Sequence, residues 1–309
     1  MTTRKFSHVA VLMGGWSAER EVSLSSGKEC AAALEAAGYQ VTRVDVGRDI
    51  ADVLAKLKPD VCFNALHGRW GEDGCMQGML EVMGVPYTHS GVRASAIAMN
   101  KQQTKRIVAQ AGVPIAEAVE VTPEEALAEH AMPPPYVAKP IAEGSSVGVV
   151  IVPTGANRPP EKIKTVLLTP DRKLMVERFV PGRELTCAVI LDQPTEIIDI
   201  VSAAHLEFYD YEAKYAPGGS KHILPADIPA AVRAAVQTHT LAAHQALGCR
   251  GVSRSDFRWD EAKADLVFLE VNTQPGMTPT SLVPELGQHR GLSFPDLVSL
   301  LVEDASIDR

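Results

Sequence analysis

The stretch from Leu266 to Pro284 constrains the fold more than any other part of the chain. It opens with four apolar residues, a run typical of a buried strand, and then places Glu270 and Asn272 two positions apart. Because side chains alternate along a strand, this carboxylate and this amide lie on one face. Their burial is costly without a partner, and hard cations such as Mg²⁺ take oxygen ligands. The stretch therefore predicts a strand that ends in a cation site.

A second segment upstream, from Gly251 to Phe257, repeats this pattern with Arg254 and Asp256. A short polar link joins the two segments, which predicts an antiparallel hairpin that brings Asp256 near Glu270 and Asn272. Two carboxylates about 4 Å apart repel by ~4 kcal/mol at an effective dielectric of about 20, so a compensating partner is needed. A metal ion is the favoured partner. A salt-bridge cluster around Arg254, or a solvated pair, is the alternative.

A turn follows this strand, from Thr273 to Thr278, and contains the step Pro275-Gly276. Such a step lets the backbone approach a ligand closely and exposes its N–H groups. Ser281 follows on the same loop. The sequence thus predicts a hydrogen-bonding pocket beside the cation site.

The first hundred residues predict a parallel sheet with a ligand at its edge. A strand at His8–Met13 ends in two glycines, and a helix over 22–37 and a strand over 41–46 complete a βαβ unit. Ligands of such sheets bind beyond the carboxyl ends of the strands. The residues at that edge are Gly14, Gly15, Ser17, Glu19 and, after a strand over 61–66, His67.

Glu19 and His67 are therefore expected to contact a ligand. The alternatives are that Glu19 only favours the first turn of the helix and that His67 is only a structural hydrogen-bonding group. The glycine turn does not match G-x-G-x-x-G, and no P-loop motif occurs in the chain. Dinucleotide and P-loop sites are disfavoured for this reason.

The middle of the chain carries candidate contacts for a phosphate. The helix expected over 100–111 carries Lys101 and Lys105, which by themselves indicate only a solvated face. A Gly/Ser-rich segment, 143–149, follows a strand at Tyr136–Pro140. Its backbone predicts a nest of N–H groups around phosphate oxygens, and a plain hairpin turn is the alternative.

Two later segments complete the candidate site. A strand over 174–180 offers Glu177 and backbone groups for adenine, and Glu184 follows it. The segment from about His205 to Lys221 is polar and aromatic without a clear period, and it contains Pro217-Gly218-Gly219. Long loops of this kind are often active-site lids or disorder, and its aromatic content favours a lid.

Composition limits the function classes. The net charge of −8 argues against nucleic acid as the main partner. There is no long apolar span and no signal-peptide pattern, so we expect neither a membrane nor a secreted location. Five scattered cysteines without a C-x-x-C motif fit reduced thiols in the cytoplasm. The length of 309 residues suggests two domains, or three smaller ones.

Six segments together resemble the D-alanine–D-alanine ligase family of ATP-grasp enzymes. In chain order they read GGWSAEREVSL, LHGRWGEDGCMQGMLEVMGVPYTHSGV, KPIAEGSSVGV, YDYEAKY, SRSDF and EVNTQPGMTPTSLVP. The resemblance implies an α/β fold class, with an α+β arrangement in the ATP-binding part. It also implies an ATP-grasp fold that follows an N-terminal, Rossmann-like domain with a parallel sheet. The implied domains are N-terminal (1–99), central (100–181) and C-terminal with the metal site and lid (182–309).

The resemblance also implies roles for individual residues. Two magnesium ions, with manganese as an alternative, would be held by Asp256, Glu270 and Asn272. ATP phosphates would contact Lys101, Lys139 and Lys214, and its adenine and ribose would contact Glu177, Val180 and Glu184. The first D-alanine would be bound by Glu19, Ser145 and Tyr215, with His67 nearby. The oxyanion would be stabilised by Arg254 and the N–H of Gly276, and the second D-alanine would contact Ser281 and Leu282.

The implied activity is ATP-dependent ligation of two D-alanine molecules through an acyl phosphate, for peptidoglycan precursors. One rival is a D-alanine–D-lactate ligase, which the Lys214-Tyr215 pair disfavours; another is a catalytically silent nucleotide-binding regulator. A homodimer is implied only by the family. The chain departs from the family pattern at Trp16, Trp70, Gln274 and Pro279-Thr280, which bears on the substrate pocket.

Overall fold

The strands of the protein form three sheets in the parts of the chain that the structure describes. These parts of the computed structural model are residues 4–142, 148–168, 173–202 and 220–308. No helix within them is long and apolar enough to cross a bilayer. The three sheets follow one another along the chain.

The first sheet is parallel, as the βαβ pattern predicts. Its order is β2-β1-β3, with β1 at His8–Met13, β2 at Gln40–Asp45 and β3 at Val61–Asn64. The helices of this part are α1 (Arg20–Ala36), α2 (Ile50–Leu57), α3 (Cys75–Met83) and α4 (Val92–Met99). Since all strands point the same way, their carboxyl ends meet at one edge, where Gly14 and His67 lie.

The second sheet is antiparallel, in the order β4-β7-β5-β6. Its strands are β4 (Ala118–Val121), β5 (Tyr136–Pro140), β6 (Val150–Val152) and β7 (Leu174–Arg178). The helices are α5 (Lys101–Gln110), α6 (Pro123–Ala128) and a 3₁₀ helix (Glu161–Leu168). Thr122 and Glu125 form a capping box that fixes the start of α6.

The third sheet is antiparallel, in the order β10-β9-β8-β11-β12. Its strands are β8 (Arg183–Ile190), β9 (Gln193–Ser202), β10 (Ser220–Ile223), β11 (Val252–Asp260) and β12 (Asp265–Asn272). The helices are α7 (Ala230–Leu247), α8 (Leu282–His289) and α9 (Phe294–Asp304). Helices α5 and α7 contact this sheet, and α8 packs against β8 and β9.

The end of the chain returns to its beginning. Helix α9 packs against α1, and its residues Leu301 and Val302 share a buried core with Val9 and Phe63. Ile190 of β8 belongs to the same core, so the first and third sheets are packed together. The limits implied for the domains fall between α4 and α5 and between β7 and β8, and they stay predictions.

Candidate functional site

A cavity of about 490 Å³ lies where the first sheet meets the third. Residues that the sequence placed far apart line it together: Glu19, His67, Arg254, Glu270, Asn272, Gly276, Ser281 and Leu282. The edge of the parallel sheet supplies the first two, and the hairpin and the loop after it supply the others. The structure thus places these eight candidates around one space, although their roles stay predictions.

The antiparallel β11–β12 hairpin that the sequence predicts is present, and it brings Asp256 near Glu270 and Asn272. Asp256 pairs with Glu270 across the two strands, and Arg254 pairs with Asn272. Directly opposed residues of an antiparallel pair lie on the same face, and so do residues two apart on one strand. All four side chains therefore share the face that borders the cavity.

Each of the two carboxylates on this face has a cationic partner. Nε and one terminal nitrogen of Arg254 donate to the Asp256 carboxylate at 2.9 and 2.7 Å. Thr186 donates to the same carboxylate at 2.6 Å. The Nζ atom of Lys101 lies 3.1 Å from Glu270. The salt-bridge cluster around Arg254, given above as the alternative to a metal, is thus formed at Asp256.

The donor set still suits magnesium. Asp256, Glu270 and Asn272 supply two carboxylates and an amide, and Asn272 Nδ2 lies 3.4 Å from Asp256 Oδ2. Within the described ranges, no group of three or more His, Cys, Asp or Glu side chains is placed to hold a metal alone. Magnesium usually takes one or two protein carboxylates and completes its shell with phosphate oxygens and water. Two carboxylates are enough for a site of that kind.

A buried charge cluster lies behind the hairpin. Lys105 donates to Glu177 and, at 2.9 Å, to the carbonyl of Phe268, while Lys139 lies 2.7 Å from the other Glu177 oxygen. Glu177 and Lys105 are each 2% exposed. Burial alone would raise the pKa of Glu177, but the two lysines outweigh it and lower that pKa. Burial lowers the pKa of Lys105. The carboxylate is thus held as an anion between two lysines.

This cluster corrects the interpretation of α5 as a solvated face. The Lys105 side chain is buried, and the Lys101 side chain is only 12% exposed. The reason is tertiary, because α5 packs against both α7 and β12, so its lysine-bearing face lies inward. The sequence analysis named Lys105 but missed its role in this buried cluster. The contact of Glu177 with adenine stays a prediction, and both of its oxygens are paired with lysines.

Arg258 is a residue that the sequence analysis missed. It pairs with Glu184 across β11 and β8, at 3.3 Å, and donates to the carbonyl of Val180 at 3.2 Å. Both partners are residues for which a nucleotide contact is predicted. The sequence could have indicated Arg258, because it lies two positions after Asp256 and four after Arg254, and side chains two apart on a strand share one face.

Glu19 and His67 meet at the edge of the parallel sheet. Ser17 joins the two loops, since its hydroxyl donates to the carbonyl of His67 at 2.7 Å and accepts from the N–H of Glu19 at 3.1 Å. Glu19 stands at the N-cap position of α1, but its side chain makes no capping hydrogen bond. Gly68 allows the approach, because its φ is +72° and an added Cβ would lie 2.6 Å from a Glu19 carboxylate oxygen.

The loop after β12 places backbone N–H groups at the cavity. Ser281 is the N-cap residue of α8, and its hydroxyl lies 3.1 Å from the N–H of Thr278 and 2.8 Å from the hydroxyl of Thr278. Leu282 is the first residue of α8, where N–H groups have no partner within the helix. A Cβ added at Gly276 would lie 3.1 Å from the Ser281 hydroxyl, so a larger residue there would crowd the loop.

Gln274 fastens this loop to the first sheet. Its amide nitrogen donates to the carbonyl of Leu66 at 2.6 Å, and its amide oxygen accepts from Asn64 at 2.9 Å. Gln274 is 3% exposed and Asn64 is fully buried. The departure from the family pattern at this position therefore forms a two-ended link between the end of β3 and the Gly276 loop.

Replacing Gln274 by leucine should lower the free energy of unfolding by about 1–3 kcal/mol, because the buried carbonyl of Leu66 loses its donor. Urea denaturation measures this. The matched control is Gln288→Leu at an exposed position of α8, which should change stability by less than about 0.5 kcal/mol. Equal effects of the two substitutions would show that the link contributes nothing.

Two other departures from the family pattern contact each other. The ring centroids of Trp16 and Trp70 lie 5.9 Å apart. The Arg48 guanidinium lies 5.0 Å from the Trp16 ring, and that of Arg69 lies 4.6 Å from the Trp70 ring. The two tryptophans, whose ring planes are tilted by 44°, therefore form one aromatic group beside the glycine turn after β1. The two departures from the family pattern are thus in contact with each other.

Some predicted features fall outside the described residues. Ser145, with most of the Gly/Ser-rich segment, lies in 143–147, and Lys214 and Tyr215, with most of the lid, lie in 203–219. The last two residues assigned to the lid, Ser220 and Lys221, belong to β10. The roles of the three named residues stay predictions.

Comparison with known proteins identifies the family. Residues 107–303 match a family model described as the D-ala D-ala ligase C-terminus, and residues 49–90 match one described as the D-ala D-ala ligase N-terminus. A D-alanine–D-alanine ligase of Parvibaculum lavamentivorans is 60% identical over 305 residues, covering 98% of each chain. One of Cereibacter sphaeroides is 59% identical over 308 residues, covering 99% of this chain and 98% of the relative.

Solved structures agree with this. The crystal structure of D-alanine–D-alanine ligase from Bacillus anthracis has a TM-score of 0.81 at 31% identity, covering 96% of this chain and 97% of that one. A second structure of that enzyme, complexed with ATP, has a TM-score of 0.79 at 28% identity with the same coverage. The predicted ATP-grasp architecture is confirmed. The chain belongs to the D-alanine–D-alanine ligase family.

Proposed function

We propose that the protein joins two D-alanine molecules into D-alanyl-D-alanine with ATP, which supplies the dipeptide for peptidoglycan precursors. One observation carries this proposal. In a chain of this family, a single cavity brings the carboxylate of Glu19 together with Arg254, Glu270 and the Gly276 loop. The cavity thus combines a site for a substrate ammonium, a site for cations and phosphates, and donors for an oxyanion.

The nucleotide lies, in this proposal, between the second and third sheets. Val180, Ala116 and Val267 form a small buried apolar cluster, suited to the face of a base. Glu184 beside them takes the ribose hydroxyls. Lys101 and Lys139 are the cations for the phosphates, since each is held by a carboxylate near the hairpin. The ATP complex of the Bacillus anthracis enzyme supports ATP as the nucleotide.

Asp256, Glu270 and Asn272 are the proposed holders of magnesium, for which their oxygen donors fit. Magnesium bound there would spread the negative charge of the transferring phosphate. Asp256 also has a second role, because it holds Arg254 through two hydrogen bonds. Such a pairing fixes the plane of the guanidinium, which orients the remaining N–H groups.

The reaction proposed for this site has two steps. The carboxylate of the first D-alanine, whose ammonium pairs with Glu19, attacks the γ-phosphate in line. The bond to the β-phosphate oxygen breaks, ADP leaves, and an acyl phosphate forms. The amine of the second D-alanine then attacks the carbonyl carbon, and phosphate leaves. Arg254 and the Gly276 N–H receive the oxyanion, and a donor of this kind contributes about 3–4 kcal/mol in other enzymes. The N-terminus of α8, at Ser281 and Leu282, takes the carboxylate of the second D-alanine.

Phosphate release tests the proposal. With ATP and magnesium, phosphate should appear only when D-alanine is present, and the organic product should be the dipeptide. D-lactate supplied with D-alanine distinguishes the depsipeptide ligase, and ATP binding without turnover distinguishes the silent regulator. Phosphate release that does not depend on D-alanine would overturn the proposal. A cytoplasmic location and a homodimer stay predictions, the second of which sedimentation of the purified protein tests.

A further inference from the structure

His222, which is paired with the carboxylate of Glu285, forms part of the cavity wall. His222 on β10 lines the same cavity as Ser281 and Leu282. Its Nδ1 atom lies 3.0 and 2.9 Å from the two carboxylate oxygens of Glu285, in the first turn of α8. The packing of α8 against β8 and β9 brings this carboxylate to β10. A carboxylate that accepts the Nδ1–H leaves Nε2 of the ring as the proton acceptor.

The proposed reaction needs such an acceptor. An amino acid enters with a protonated amino group at neutral pH, and an ammonium has no lone pair with which to attack a carbonyl carbon. A proton must therefore leave before the C–N bond forms. Imidazole is the side chain suited to accept it near neutral pH.

Within the described part of the chain, His67 and His222 are the two histidines that line the cavity. His67 is 6% exposed, and both of its ring nitrogens are engaged, one 3.1 Å from Ser26 Oγ and the other 3.1 Å from Glu72. The Nε2 atom of His222 has a longer contact, 3.5 Å to Ser220 Oγ. The His222 side chain is 20% exposed, so substrate can reach it.

We infer that His222 is the general base for the second D-alanine and that Glu285 is its positioning residue; this inference rests on the proposed function. His222 Nε2 takes one proton from the ammonium and becomes an imidazolium. The neutral amine attacks the carbonyl carbon, the C–N bond forms, and the C–O bond to phosphate breaks with its electron pair. Phosphate carries away the second amine proton as hydrogen phosphate. The imidazolium returns its proton to solvent when the product leaves.

The charges around His222 fit the binding of a cationic amine. Glu285 faces it from α8, and Glu19 and Glu21 line the cavity from the start of α1. Glu72 lies beside His67, and the third sheet contributes Glu270 together with the cation Arg254. Strand β9 places the apolar Ile200 opposite His222. The carboxylates outnumber the arginine, so the wall attracts the ammonium.

Hydroxylamine provides a direct test, because it is a neutral nucleophile at pH 7 and needs no base. Given in place of the second D-alanine, it traps the acyl phosphate as D-alanine hydroxamate. With His222→Gln, dipeptide formation at pH 7 should fall by about 10²-fold, while hydroxamate formation stays close to that of the wild type. The dipeptide rate of this variant should recover at alkaline pH, where the amine is already neutral. Glu285→Gln should show the same pattern with a smaller loss.

The matched control is His289→Gln at the exposed end of α8, which should leave both products unchanged. Retention of the dipeptide rate in His222→Gln would overturn the inference, and so would an equal loss of dipeptide and hydroxamate. Hydroxamate formation also reports that each variant is folded. If the wild type forms neither the dipeptide from ATP and D-alanine nor the hydroxamate when hydroxylamine is added, the proposed function itself fails. That result differs from the two outcomes that overturn the role of His222, because in both of those the wild type is active.

Discussion

Replacing Glu270 by glutamine is expected to reduce ligation by at least about 10²–10³-fold and to leave the fold intact. Glu270 lies opposite Asp256 in the hairpin register, and Lys101 is 3.1 Å from its carboxylate. The substitution removes one negative charge at nearly constant volume. The Glu270 side chain is 25% exposed, so the new amide can be hydrated. The loss is therefore electrostatic, and D-alanine-dependent phosphate release at saturating magnesium measures it.

Glu261→Gln is the matched control for this substitution. Glu261 lies in the exposed turn of the same hairpin, between β11 and β12, and its substitution should leave the rate unchanged. The thermal midpoints of both variants should stay near that of the wild type. A Glu270→Gln enzyme with nearly wild-type turnover at saturating magnesium would refute the cation site.

Replacing Lys105 by methionine should lower the free energy of unfolding by about 3–5 kcal/mol. The substitution leaves the Glu177 carboxylate buried with Lys139 as its cationic partner, and it removes the donor to the carbonyl of Phe268. The transfer of a charge from water is compensated only while its partners remain. Urea denaturation at pH 7 measures the change.

Lys164→Met is the control, since Lys164 also pairs with a glutamate but is 56% exposed. Its substitution should change stability by less than about 1 kcal/mol. Equal effects of the Lys105 and Lys164 substitutions would show that the buried cluster is not a stabilising element.

Acid unfolding gives the buried cluster a second test. The pKa of Glu177 is lowered in the folded state, so its contribution to stability is present above the unfolded-state pKa and is lost as pH falls through the folded-state value. Burial raises the pKa of Glu177, and Lys105 and Lys139 both lower it. Without Lys105, only Lys139 opposes the effect of burial, so the pKa of Glu177 in the folded variant is higher than in the wild type. The midpoint of acid unfolding should therefore move to higher pH in Lys105→Met than in the wild type. An unchanged midpoint would contradict this assignment.

The parts of the fold that depend on local pattern could be predicted from the sequence. The alternation of Arg254 with Asp256 and of Glu270 with Asn272 defines two strand faces, and the short polar link fixes their pairing. The parallel sheet followed in the same way from a strand, a glycine turn and a helix. The alternation of side chains and the order of strand, turn and helix depend only on one element and its neighbour along the chain. They can therefore be read directly from the sequence.

Features that depend on tertiary packing could not be predicted in this way. The lysines of α5 point inward because α7 and β12 cover that side of the helix, and the helical period alone does not show which face is covered. Gln274 is 210 positions from its partner Asn64, and His222 is 63 from Glu285. Strand and turn patterns, together with the family resemblance, named eight of the residues that line the cavity, but not the contacts that hold them.

Transfer of a labelled oxygen tests the central claim most directly. The claim is that the carboxylate of the first D-alanine attacks the γ-phosphate, so that one of its oxygens leaves with the phosphate. D-alanine labelled with ¹⁸O in its carboxylate should pass one labelled atom to inorganic phosphate for each dipeptide formed, with ADP as the other product. Mass spectrometry of the phosphate and dipeptide measures this ratio. Unlabelled phosphate, or AMP with pyrophosphate in place of ADP, would contradict ligation through an acyl phosphate.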